Sequence, residues 1–288
     1  MLALSGGAWK EYAANLGGLI MRSTLARLML ILALMLPIYF AGAALGARFG
    51  VFDWRFSLGT LIVEWGPRLM IAVLILAVAI LIATLVRAPR QGWRSALVAV
   101  LIPAAGLGYL VWVRSQSQDI PPIHDVSTRP ADPPAFSPVL LAQRAASPDT
   151  NPVVSLIVPV SMLEKYAGPR FTDMADSSLG QIAAEAYPSV QPLTTPATVD
   201  TAYAAALAEA RAKGWAMVSE DPATGTLNAT ATTFWFGFKD DVAVRVRPEG
   251  AGSVIDVRST SRVGLSDLGA NAARIEAYLA GIERRLAG

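Results

Sequence analysis

Three uncharged apolar runs, at 28–47, 69–86 and 95–113, limit what this chain can fold into more than any other feature. At about 1.5 Å per helical residue, each is long enough to cross the hydrocarbon core of a bilayer. Arginines bracket all three: Arg22 and Arg27 before the first and Arg48 after it, Arg68 and Arg87 around the second, Arg94 and Arg114 around the third. A mean hydropathy of +0.45 with only 16% charged residues fits the same reading, being too apolar for an ordinary water-soluble chain. The third run carries Pro103, Gly106 and Gly108, which a membrane helix tolerates. The expectation is an N-terminal membrane domain over 1–114, with the lipid bilayer as its solvent.

Orientation follows from basic residues in short loops. The N-terminal side offers Lys10, Arg22 and Arg27, and the second loop, 87–94, has three arginines and no acid. The first loop, 48–68, also has three arginines, but Asp53 and Glu64 lie among them. The bias predicts a cytoplasmic N-terminus and everything after Arg114 outside, which in a bacterial inner membrane is the periplasm. Trp54, Trp65, Trp93, Tyr109 and Trp112 fall near the expected interfaces, and Glu64 reads as interfacial. Residues 1–20 read either as a short interfacial helix or as an extension ahead of a start at Met21. Cleavage of the first run as a signal peptide, near Ala41-Gly42-Ala43, is the competing reading. Gly42, Gly46 and Gly50 are spaced by four, which suits close helix approach. That approach is either packing within this chain's own helices or self-association and docking of a membrane-protein partner.

Composition removes several functions. With no cysteine and one histidine, His124, the chain has no disulfide, thiolate metal site, iron–sulfur cluster, cysteine nucleophile or multi-histidine metal site. The net charge of +2 gives no nucleic-acid signal. No cofactor or metal is expected.

Residues 115–152 hold eight prolines and read as an extended linker with one short helix near 139–145. His124 lies there, as a hydrogen-bonded loop residue or a ligand-facing group. Residues 153–288 read as a globular α+β domain. Strands are expected at 151–159, 215–220 and 226–238, with Trp235 and its neighbouring phenylalanines in the core. Helices are expected at 176–186 and at 199–213, the latter capped by Thr198 and stopped by Gly214. In 242–247 valines alternate with Ala243, Arg245 and Arg247. In 253–259 Ile255 and Val257 alternate with Val254, Asp256 and Arg258. The prediction is an antiparallel sheet with helices packed on its apolar face. Ser266 is the expected N-cap of a last helix with an apolar stripe through Leu268, Ala272, Ile275, Leu279, Ile282 and Leu286. A polar stripe, Asp267, Asn271, Arg274 and Tyr278, runs beside it.

The polar residues of 234–274 make the candidate site: Asp240, Asp241, Arg245, Asp256, Arg258, Ser259, Ser261, Arg262, Asp267, Asn271 and Arg274. Acids could take a hard cation, and arginines could grip carboxylate or phosphate. A serine nucleophile would need a base, and none accompanies it, so no catalytic residue is assigned. The alternative is a structural network in which the arginines neutralise the acids. Three segments resemble a known family: Phe236-Gly237-Phe238-Lys239-Asp240-Asp241, then Asp256-Val257-Arg258-Ser259-Thr260-Ser261-Arg262-Val263-Gly264, then Ser266-Asp267-Leu268-Gly269-Ala270-Asn271-Ala272-Ala273-Arg274. The family is DUF1499, a domain of unknown function, and His124-Asp125-Val126-Ser127-Thr128 is similar to its N-terminal signature. The resemblance implies a domain over about 120–286, a membrane-bound member, and no established activity. Together these readings favour a non-catalytic binding or accessory subunit of a membrane complex over an enzyme. The alternatives are a binder of an anionic small molecule or lipid, and a metal-dependent hydrolase built on Asp240, Asp241, Asp256 and Asp267.

Overall fold

The computed structural model describes residues 6–86, 88–147 and 149–288, in two compact units. The first unit holds α1 (Gly6–Arg48), a π-helical segment (Phe56–Trp65) that continues into α2 (Gly66–Val86), and α3 (Trp93–Ser117). Three stretches are long and apolar enough to cross a membrane: Ile20–Arg48, Phe56–Val86 and Trp93–Ser117. They contain the three expected runs and exceed them. Most of the expected first loop, 48–68, is helical instead. There the wider π turn presents the Leu61 carbonyl to the Tyr39 hydroxyl (2.7 Å), while Ser57 Oγ donates to the Ala43 carbonyl (2.5 Å). Residues 6–20 are part of α1, and residues 1–5 lie outside the described ones. A small core of Met29, Ala33, Leu36, Met70, Val73, Ala77 and Ala99 joins the helices. At least seven-tenths of the most apolar window of each helix is not buried inside the protein, as lipid-facing helices require.

Of the three spaced glycines, Gly46 is used within the chain: the Phe52 ring lies where a Cβ would be. Gly42 faces open space, and Gly50 sits past the end of α1 with φ +71°, so the three do not form one helical face.

The second unit is an antiparallel sheet carrying helices. Its elements are β1 (Asp125–Ser127), α4 (Pro138–Ala145), three 3-10 turns between Val160 and Met174, and α5 (Leu179–Ala186). These lead to β2 (Leu193–Thr195), α6 (Val199–Ala212), β3 (Ala216–Asp221), β4 (Thr226–Thr232), β5 (Lys239–Glu249), β6 (Gly252–Ser261) and α7 (Ala270–Ala287). The spatial order is β1-β6-β5-β4-β3, with β2 also pairing β6. β5 and β6 form a long hairpin closed at Glu249↔Gly252. The strand period of two splits its side chains cleanly. Val242, Val244, Val246, Ile255 and Val257 join the main core with α6 and α7, through Ala202, Ala206, Ile275, Tyr278 and Ile282. The other face carries Ala243, packed against Phe136 and Leu140 of the α4 region.

The largest departure from expectation is 115–152. The short helix expected near 139–145 is present as α4, but in place of an extended linker around it this stretch supplies β1 and buries Ile123, Val126, Leu140 and Arg144. Among its described prolines, Pro130 lies in a turn and Pro138 opens α4 after a Ser137 cap. The expected strand at 151–159 is irregular chain, and 226–238 ends as a strand at Thr232, leaving Phe234 and Trp235 exposed rather than in the core. Thr198 caps α6, and Gly214 ends it in the left-handed region (φ +70°). Ser266 does not cap α7; Gly269 occupies that position, with φ +82°.

Candidate functional site

Asp240 and Asp241 are neighbours in sequence but point to opposite faces of β5. The structure therefore divides the candidate residues between the two faces of the sheet.

On the α4 face, Asp241 is fully buried and accepts four hydrogen bonds. Arg262 donates to it through Nε and Nη2 (both 2.8 Å), Arg144 through Nη1 (2.6 Å), and Thr230, its cross-strand partner on β4, through Oγ1 (2.8 Å). Arg258 forks onto Asp125 of β1 (3.0 and 2.7 Å), and its guanidinium lies over the Phe136 ring. Asp256, also fully buried, accepts from Arg129, Arg245 and Arg247, each at 3.1 Å. Arg245 is its direct cross-strand partner and also grips Asp132. Such charge-assisted bonds are the strong ones, and each buried carboxylate here has its cations in place.

On the α7 face, Arg274 reaches Asp240, Ser259 Oγ (3.0 Å) and Asn271 Oδ1 (2.5 Å). Asn271 is wholly buried. Its amide donates to Ser261 Oγ (2.9 Å) and to the His124 carbonyl (3.0 Å), and its oxygen accepts from Ser259 Oγ (2.6 Å). The Asp267 carboxylate accepts from the backbone N–H groups of Gly269 (2.8 Å) and Asn271 (2.9 Å), tying down the first turn of α7. Burial raises the Asp267 pKa, the Asp240 charge adds to the rise, and these N–H groups oppose it. The polar stripe of α7 thus faces the sheet, and Tyr278 at its end donates to the Ala206 carbonyl (2.8 Å). Among the described residues, no three acids or histidine converge as metal ligands would. Among the described hydrogen bonds, the Ser259 and Ser261 hydroxyls meet Asn271 and Arg274.

Sequence reasoning did not identify Asp125, Arg144 and Thr230 as partners. Asp125 and Arg144 come from segments distant in sequence and Thr230 from the neighbouring strand β4, and the alternation of β5 and β6 carries no trace of them.

His124 is almost entirely buried. Its Nδ1 lies 3.2 Å from the Tyr166 hydroxyl, and the two rings are nearly parallel. Nε2 is buried without a hydrogen bond of acceptable geometry. Burial, then the Lys165 charge, brings its pKa down to about 4, while Asp125 and the Leu265 backbone pull the other way. Lys165 donates to Asn151 Oδ1 and to the Gly264 carbonyl (2.5 Å), and burial lowers its pKa to about 8. The expectation of a hydrogen-bonded loop residue holds for one edge of the ring only.

Among curated proteins, none matches the chain. The family model described as "Protein of unknown function (DUF1499)" matches residues 125–282, from β1 into α7. That is more than half of the chain, and it includes every residue of both ion-pair groups from Asp125 onward: the protein belongs to the DUF1499 family.

Proposed function

We propose that this protein is a membrane-anchored, non-catalytic binding domain that serves as an accessory subunit of a membrane protein complex. The observation that carries the reading is the closure of the polar groups. Asp240, Asp241, Asp256 and Asp267 each already accept from arginine or backbone donors inside the domain. A metal-dependent hydrolase built on these acids finds less support, because they are spread over two faces of the sheet.

In the same reading the N-terminus lies in the cytoplasm of a bacterial cell and the sheet domain in the periplasm. Support comes from the loops. The 87–94 loop has three arginines and no acid, while the shortened 49–55 loop has only Asp53 and Arg55. Gly42, which faces open space, is where a partner helix or a second copy would come closest.

Gentle detergent extraction followed by mass spectrometry of what co-purifies tests the proposal. Partner subunits in fixed stoichiometry are expected, and their loss on Gly42→Leu would assign the docking face. A lone monomer under conditions that preserve other inner-membrane complexes sinks the accessory role. A reporter fused after Gly288 should be active in the periplasm; activity confined to the cytoplasm overturns the orientation.

A further inference from the structure

We propose that the cavity between the His124 ring and the loop around Lys165 binds a small organic anion, a single carboxylate carried on an apolar body. This goes beyond the accessory-subunit reading and does not depend on it.

The cavity has a volume of about 400 Å³, within the range of small-molecule pockets. Its walls are mainly apolar, from Pro152, Val154, Met162, Leu163 and the Tyr166 ring. Two hydrogen-bond donors stand among them. The first is Lys165. Asn151 Oδ1 and the Gly264 carbonyl use two of its three N–H bonds. No described carboxylate lies within ion-pair distance of it, whereas the buried Arg144, Arg258 and Arg262 of the same domain each have one. A half-buried cation without a counter-ion is costly, and an entering anion relieves that cost.

The second donor is His124. The Tyr166 hydroxyl has no other acceptor among the described hydrogen bonds, so it donates to Nδ1. The neutral ring then carries its proton on Nε2. That N–H is buried and makes no hydrogen bond of acceptable geometry, although the Leu265 backbone acts on the ring as an acceptor, and it belongs to a residue that lines the cavity. Buried donors without partners are rare, and each calls for an explanation. A carboxylate fits both donors, with a charge-assisted bond from Lys165. The apolar walls fit the rest of such a ligand. Glu164, the one lining carboxylate, is exposed and disfavours ligands of higher negative charge.

His124 is the only histidine in the chain, so its ring signals in an NMR spectrum need no assignment. Full-length protein labelled at histidine, in nanodiscs, would be titrated with hexanoate, with the neutral isostere hexanamide, and with chloride at matched ionic strength. The expected result is a saturable shift of the His124 signals with hexanoate and a response at least tenfold weaker to the other two. No shift with hexanoate, or equal shifts with hexanamide or chloride, overturns the proposal. Lys165→Met should weaken hexanoate binding at least tenfold, and unchanged affinity in the folded variant overturns it as well. If that variant does not fold, the three titrations of the unaltered protein decide alone.

Discussion

The Asp241 cluster and the His124–Lys165 corner belong to the same domain and treat buried charge in opposite ways. Asp241 sits between two arginines and a threonine, with every carboxylate lone-pair direction in use. Lys165 has two neutral acceptors and no acid, and His124 leaves one ring nitrogen unpaired. The first arrangement is closed: removing any member strands the others in a place water does not reach. The second is open, and what it lacks is an acceptor. The contrast teaches that the densest run of polar residues in this sequence is spent on holding β5, β6, α4 and α7 together. Besides Arg245 Nε, Thr260 Oγ1 and the Tyr187 hydroxyl, unsatisfied polar capacity lies at His124, in a stretch with little patterning of its own, and there it lines a cavity that Lys165 shares.

Substitutions that disturb the closed cluster should have the largest effects. Asp241→Ala leaves Arg144 and Arg262 buried without their carboxylate, and should cost about 3–5 kcal/mol in chemical denaturation. A loss below about 1 kcal/mol would break the comparison, because the cluster would not be structural.

The open corner should announce itself through pH. The folded pKa of His124, about 4, lies below the unfolded value of about 6.5. As pH falls, the unfolded chain takes up the proton first, so stability present above about pH 6.5 is lost on descending toward pH 4. The shift corresponds to roughly 3 kcal/mol. The charged groups around the ring are Lys165 and Arg144, which disfavour protonation, and Asp125, which favours it. Stability differences between the unaltered protein and His124→Gln should change across that window and stay flat above pH 7. A difference that is flat throughout would contradict the buried neutral ring.

Asn271→Ala should come next, at about 1–3 kcal/mol, because it removes the hydrogen bonds to Ser259, Ser261 and the His124 carbonyl together, although Arg274 still reaches Ser259 and the Ser261 N–H still reaches that carbonyl. Tyr278→Phe removes one buried hydrogen bond, to the Ala206 carbonyl, and should cost about 1 kcal/mol by thermal denaturation. The smallest effect is expected at the exposed end of the Asp256 group. Asp132→Ala removes a carboxylate lying in solvent beside Arg245, and its melting curve should overlay that of the unaltered protein. A large shift there would show that the closed network extends to the surface.

Local chemistry made much of this protein legible in advance. The three apolar runs dictated helices, because no other structure satisfies the backbone of a single continuous segment in lipid. Alternation at 242–247 and 253–259 predicted the hairpin and the side each residue faces, because the strand period is two. Thr198 and Gly214 marked the ends of α6 through cap chemistry. Ser266 misled, because Asp267 two residues before Gly269 offers a stronger acceptor to the first turn of α7, and only the φ of Gly269 reveals where that turn begins.

What the tertiary structure alone decided is which charges meet. Arg144 joins Asp241 across 97 positions, and Arg258 joins Asp125 across 133. Partners so far apart leave no periodic signal, so the strand β1 and the burial of Arg144 on the expected short helix of the proline-rich stretch were not legible. The same long-range closure buried one edge of His124 against Tyr166 and left the other beside a cavity. By itself the sequence determined the helices, the faces of the strands and the residue types available for chemistry. Only the fold determined which of them neutralise one another and which remain open to a ligand, because the free energy of a buried charge depends on what surrounds it in space.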